Sequence, residues 1–184
     1  MFKTGIDYLK FRTQSEPLSV FKAIRSAFAG GEDMELDQDM PGKDGWKYRR
    51  ELKLFGETVA WMDYGGDSQR GWLRFEMKGK GCGWIADWSV VAALPEALGR
   101  AELTRVDLKL DTIDGSVSHK SVLRAYNKGA FKRPGGGRNP VLKTVETSRL
   151  MDGRTAYIGA RTSPRFIRCY EKGWQVMGKL GMPE

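Results

Sequence analysis

WKYRRELKLFGETVAWMDYGGDSQRGWLRFEMKGKG, residues 46–81, decides the fold. It divides into three strand-like runs, WKYRRELKLFG, ETVAWMDYG and GWLRFEMKGKG, joined by short turns that contain glycine. Short runs separated by tight turns predict an antiparallel meander. In the third run Leu73, Phe75 and Met77 alternate with Arg74, Glu76 and Lys78. Successive strand side chains point to opposite faces, so one face of this sheet is apolar and the other charged.

Working outward, GIDYLKFRT (5–13) alternates Ile6, Tyr8 and Lys10 against Asp7, Leu9 and Phe11 and reads as a strand. After Ser15, EPLSVFKAIRSAFAG places Leu18, Phe21, Ile24 and Phe28 at helical spacing, with Gly30 and Gly31 as a stop. GEDMELDQDMPGKDG (31–45) is acidic and turn-rich; it lacks the glycine and terminal glutamate of a calcium loop and reads as a solvated loop. IADWSVVAALPEALG (85–99) reads as helix bent at Pro95. ELTRVDLKLD (102–111) is the cleanest strand: Val106, Leu108 and Leu110 point one way, and Arg105, Asp107, Lys109 and Asp111 the other. A helix from Ser118 to about Lys128 leads into the basic, glycine-rich loop GAFKRPGGGRNP (129–140), and RTAYIGAR and RFIRCYEK follow as strands. The sum is a single α+β domain, residues 1–184, with a largely antiparallel sheet, helices on one face and an open charged face expected to carry Glu76, Asp107 and Asp111 and, where register allows, Arg168, Tyr170 and Lys172.

Composition narrows the chemistry. With 40% hydrophobic and 11% aromatic residues in 184, this is a folding sequence with enough chain for an ordinary core. It has no apolar run of membrane-spanning length and no signal-peptide stretch, so no membrane partner and a cytoplasmic location are expected. Two cysteines, Cys82 and Cys169, are too few for a disulfide framework and suit small buried positions. The single histidine, His119, excludes His-rich zinc sites and the two-histidine class of DNA-nicking enzymes; a surface or capping role is expected for it. Metal chemistry here must use carboxylates, which select hard ions such as Mg²⁺ or Mn²⁺.

The net charge of +8 is unevenly placed. Residues 1–100 carry 15 basic and 15 acidic side chains, and residues 101–184 carry 16 and 8. The C-terminal part should therefore attract a polyanion in a salt-dependent way. Lys132, Arg133 and Arg138 of the loop, with Arg149, Arg154, Arg161 and Arg165, are the expected phosphate contacts to nucleic acid.

Two constellations bear on catalysis. In RFIRCYEK, Arg168, Tyr170 and Lys172 share a face while Ile167 and Cys169 share the other. A phenol between cations is a competent nucleophile toward phosphorus once ionised, and the same cations would hold a phosphate; a plain strand tyrosine beside solvated charges has the same pattern. Asp107 and Asp111 lie on one strand face but roughly 13 Å apart, too far to share one ion. Glu76, on a strand expected to be adjacent, is the better partner for Asp107; surface ion pairs with Arg74, Arg105 or Lys109 would also account for these acids.

GIDYLKFRT, MKGKGCGWI, LTRVDLKLDTIDG, VLRAYNKGAFKR and TAYIGARTSPRFIRCYEKG, in that order, resemble the replication initiation factor family of bacterial plasmids and filamentous phages, the trans-acting rolling-circle initiators. The most specific pieces are Tyr157 to Ser163 leading to Arg168, Tyr170 and Lys172, and the strand with Arg105, Asp107 and Asp111. The resemblance implies a DNA nicking and joining enzyme. Tyr170 would attack an origin phosphodiester and leave a 5′-phosphotyrosyl link. Asp107, with Glu76 or Asp111, would hold Mg²⁺ or Mn²⁺. The implied partners are single-stranded or origin duplex DNA and a host helicase. Members of the family continue into a further strand with a glutamate, whereas this chain stops at GWQVMGKLGMPE, so the domain reads as C-terminally truncated. The competing expectation is a module that binds DNA without cutting it. An RNA-binding sheet of the RRM type would need a contiguous basic and aromatic run that is not present.

Overall fold

Period-two alternation becomes strand pairing along most of the chain. The computed structural model describes residues 2–112, 117–132, 137–146, 154–160, 162–163 and 166–171. In order the elements are β1 (Phe2–Thr13), α1 (Pro17–Ile24), β2 (Met34–Leu36), β3 (Met40–Pro41), β4 (Tyr48–Leu54), β5 (Glu57–Tyr64) and β6 (Leu73–Lys78). They continue with α2 (Gly79–Cys82), α3 (Trp88–Ala92), α4 (Leu94–Ala97), β7 (Ala101–Thr112), α5 (His119–Asn127), β8 (Leu142–Glu146), β9 (Arg154–Ile158) and β10 (Ile167–Tyr170). The chain falls into two compact units, Phe2–Asp111 and one within Thr112–Glu184. Among the described residues no helix is long and apolar enough to cross a membrane.

The larger unit is built on a sheet of order β2-β4-β5-β6-β1-β7, with β3 also paired to β4. The β4-β5-β6 meander is antiparallel as expected, and β1 runs antiparallel to β6 with Phe11 opposite Phe75 and Lys10 opposite Glu76. Thr104 donates to the Lys10 carbonyl while Arg12 pairs with Glu102 and Lys109 with Asp7, so contacts descend β1 as they ascend β7 and this pair is antiparallel too. Leu9, Phe11, Leu52, Met62, Phe75 and Met77 fill one sheet face and pack with Val20, Ile24, Ala27, Phe28 and Leu94 from the helical side. Phe11 and Phe75 stack with ring centroids 4.7 Å apart. The helices thus cover one face and leave the other to charged and aromatic side chains, the α+β layout expected from the sequence.

Three local expectations change. The helix ends at Ile24 and tightens into a 3₁₀ turn, Arg25–Ala27, which rotates the register; Phe28 still reaches the core, but Leu18 stays 51% exposed. The acidic stretch is not a free loop: Met34 is buried, β2 and β3 pair with β4, and Asp37 and Asp39 form ion pairs with Lys53 and Arg50. Those bonds hold both carboxyls below the usual carboxylate range. On β7, Val106 packs toward the core, whereas Leu108 and Leu110 are exposed on this terminal strand of the sheet.

The smaller unit has its own three-stranded antiparallel sheet, β10-β9-β8. β8 was not expected from the sequence. Helix α5 begins at Ser118, whose hydroxyl accepts from the Ser121 amide while Ser121 returns a bond to the Ser118 amide. Val122, Ala156 and Ile158 form its buried centre, joined by Tyr126, Phe131 and Cys169. His119 is not a surface residue. It is 6% exposed, Ser118 does the capping, and its Nε2 meets no hydrogen-bond partner among the described residues.

Candidate active site

On the open face of the larger sheet, β1 lies between β6 and β7, and Tyr8 stands at its middle. Glu76 on β6 is diagonal to it, since Tyr8 faces Lys78 and Lys10 faces Glu76 in the register. From β7, the Arg105 guanidinium lies 4.4 Å from the centre of the Tyr8 ring. Its Nε and Nη2 donate to the two carboxylate oxygens of Asp107 at 2.8 and 2.5 Å. This is a bidentate, charge-assisted pair. Burial, the negative charge of Glu76 and the hydrogen bond the phenol gives to Glu76 push Tyr8 up to about 12. Arg105 opposes that shift, and Asp107 adds to it. Tyr8 is therefore a hydrogen-bond donor fixing Glu76, and ill suited to supply a phenolate.

A second ionic centre lies nearby in the same sheet. Asp63 is fully buried, and its oxygens accept from Arg49 at 2.6 and 3.0 Å and from Arg74 at 3.0 and 2.8 Å. Two cations on one carboxylate leave a fixed local positive charge, and Arg74 carries it toward the Trp46 ring, 5.3 Å away.

In the smaller unit, β10 presents Arg168 and Tyr170 outward, while Cys169 faces Ala156 and the small core. Tyr170 is 39% exposed, and the Arg168 guanidinium lies 4.6 Å from its ring centre and 5.9 Å from that of Tyr157. The face pattern read from the sequence holds for these residues, although Ile167 is 40% exposed.

The structure thus gathers Glu76 and Asp107 around Tyr8 and Arg105, with one correction: their strands are not adjacent, because β1 separates them. Asp111 lies four residues along β7 from Asp107, too far along an extended strand to share an ion with it. Tyr170 and Arg168 belong to a different sheet from Asp107 and Glu76, so the expectation that all four share one sheet is not met. Lys132 and Arg138 flank the basic loop as exposed cations, and Arg154 is exposed at the start of β9. Arg133, Arg149, Arg161, Arg165 and Lys172 lie outside the described residues. Among the described residues no three His, Cys, Asp or Glu side chains cluster as a metal site. Tyr8 was missed as a site residue. Its only signal is an aromatic at an outward position of the first strand, and its partners depend on register.

Residues 101–184 match the replication initiation factor family. The chain is thus similar to this family over its C-terminal 84 of 184 residues. The stretch holds Asp107, Arg168 and Tyr170, and the resemblance read from the motifs is borne out. The whole chain is also similar in fold to the rolling circle replication initiator protein from Geobacillus stearothermophilus, with a TM-score of 0.68 and 20% identity over 100% of this chain and 71% of that one. No curated protein matches the chain.

Proposed function

We propose that the protein is a rolling-circle replication initiator that nicks one DNA strand at an origin through Tyr170. The observation that carries this reading is an outward tyrosine with a guanidinium on its ring, within the segment that matches the replication initiation factor family. The Tyr170 hydroxyl oxygen attacks phosphorus, the bond from phosphorus to the 3′ oxygen breaks, and the phenolic proton is lost as the leaving 3′ oxygen gains one. The products are a 5′-phosphotyrosyl link and a free 3′-hydroxyl, and the reverse step rejoins the strand. Arg168 holds a phosphate oxygen by charge-assisted hydrogen bonds.

Glu76 and Asp107 would hold the divalent ion. They are hard oxygen donors, and one or two carboxylates, with phosphate and water completing the shell, are the usual complement of Mg²⁺. The ion would neutralise phosphate oxygens as the negative charge develops. Asp107 would release Arg105 to bind it. That contact also favours a second reading, a DNA-binding protein that does not cut, because both Asp107 oxygens are occupied by the guanidinium.

One assay separates the two. Supercoiled DNA carrying the cognate origin is incubated with protein and Mg²⁺ or Mn²⁺, and a protease-sensitive covalent adduct with nicked circles is expected. Tyr170→Phe forms neither. An adduct that persists in Tyr170→Phe overturns the assignment, and salt-dependent binding without any adduct leaves the binding-only reading.

A further inference from the structure

The open face of the larger unit carries a cleft of about 400 Å³ that the nicking chemistry does not use. Lys10, Arg12, Trp46, Gln69, Trp72 and Arg74 are its principal lining. Arg70 completes a set of four cations, and among the described residues no acidic side chain lines the cleft. The acids that pair with these cations are not among its lining residues: Glu102 for Arg12, and Asp63 and Asp44 for Arg74. Lys10 and Arg70 have no ion-pair partner among the described residues. Both indoles are paired with guanidinium groups. Arg12 and Arg100 lie 4.4 and 4.9 Å from the centre of Trp72, and Arg74 lies 5.3 Å from that of Trp46. The buried Asp63 fixes Arg74 in place.

Flat π surfaces held beside cations, in a groove without acids, suit a polyanion that carries flat, unstacked groups. We propose that this cleft binds single-stranded DNA, with bases stacked at Trp72 and at Trp46, the Arg12 and Arg100 guanidinium groups turning from Trp72 to phosphates while Arg74 stays on Asp63, and Lys10 and Arg70 as further phosphate contacts. Duplex DNA does not suit it, because its bases are already stacked on one another. The proposal rests on the reading that the protein acts on DNA, but not on cleavage. All of its lining residues except Thr104 lie outside the stretch that matches the replication initiation factor family.

The test is fluorescence anisotropy of a labelled dT12 oligonucleotide with the full chain. Wild type binds dT12 more tightly than a blunt duplex of equal length, and intrinsic tryptophan fluorescence falls on binding. Trp72→Ala and Trp46→Ala each weaken dT12 binding by roughly 5- to 100-fold, the range for one lost base stack. Trp72→Phe retains most of the affinity, which separates stacking from a folding defect. Lys22→Ala, on α1 and the opposite side of the sheet, leaves binding unchanged. Lys10→Ala and Arg70→Ala each reduce the salt slope by about 0.7. Affinity of Trp72→Ala and Trp46→Ala within twofold of wild type, or preferred binding of the duplex, overturns the proposal. Tyr170→Phe keeps the readings apart: loss of the adduct with dT12 binding retained supports both, whereas Trp72-dependent binding by a wild type that never forms an adduct removes only the nicking step.

Discussion

Replacing Asp63 by Asn removes one negative charge and keeps nearly the same volume, so it isolates the electrostatics of the sheet's polar face. The carboxylate is fully buried, and each arginine side chain beside it is only 16% exposed. Hydrogen bonds to charged groups contribute about 1.5 to 3 kcal/mol each. Adding four of them would overstate the effect, since they share one acceptor group. Breaking a buried pair by removing one partner costs about 3 to 5 kcal/mol, because the remaining charge stays poorly solvated. Here two guanidinium groups remain, and Arg74 keeps only a 3.5 Å contact with the exposed Asp44. The asparagine carbonyl still accepts one bond, so about 3 kcal/mol is expected. In a chain of this size that lowers the melting midpoint by roughly 6 to 12 °C. Urea unfolding followed by circular dichroism should show the midpoint falling with little change in slope. Asp67→Asn, at an exposed carboxylate in the turn before β6, should stay within about 0.5 kcal/mol of wild type. A loss below about 1 kcal/mol at Asp63 would mean that the pair is hydrated like a surface bridge, and the account of a fixed charge beneath Trp46 would fall.

Three other outcomes follow from the same structure. Tyr8 should resist ionisation in an ultraviolet titration until about pH 12, and Glu76→Gln should bring it down, since Glu76 contributes both charge and a hydrogen bond. A folded value raised above the unfolded one means that stability from this phenol is complete below about pH 10 and is lost as the pH rises toward 12. A Cβ on Gly81 would overlap the Val59 carbonyl oxygen and crowd Met77, so Gly81→Ala should destabilise by about 1 to 3 kcal/mol in thermal unfolding. Replacing Lys132 and Arg138 together with Ala should flatten the slope of log affinity for origin duplex against log salt by about 1.8 units if both touch phosphate, and an unchanged slope removes them from the interface.

The sheet was legible where alternation was strict. LRFEMK fixed which side chains of β6 face the core, and its neighbours followed from short turns. The acidic segment was misread because its anchor is a single buried methionine, and charge density masked three-residue pairing with β4. Strand β8 escaped because LKTVE is short and adjoins a glycine-rich loop. The site was legible only in part. Glu76 and Asp107 could be named from their faces, but sequence order does not reveal that β1 inserts between β6 and β7, so the carboxylates meet over Tyr8 rather than side by side. The aromatic cleft was hidden for a related reason. Trp46 and Trp72 come from two separate connecting segments that sheet pairing brings to one end of the strands, and no contiguous run announces them.

Charge then divides the work between the two parts of the chain. Residues 1–111 carry 17 basic and 18 acidic side chains, and residues 112–184 carry 14 and 5. A part with no net positive charge would draw DNA weakly through long-range field; it would have to hold by contact, as the proposed cleft would, with two indoles and no acid among its described lining residues. The basic part supplies the field, which salt screens. The two contributions should therefore respond differently to ionic strength. The loss from Trp72→Ala, which removes stacking surface, should remain a nearly constant factor for dT12 between 50 and 200 mM salt. The loss from removing Lys132 and Arg138 should shrink over the same range, because the counterions they release are then less dilute. If the Trp72 loss shrinks in step with the lysine and arginine loss, the indole acts only by placing its arginines, and the cleft is an electrostatic contact rather than a stacking one.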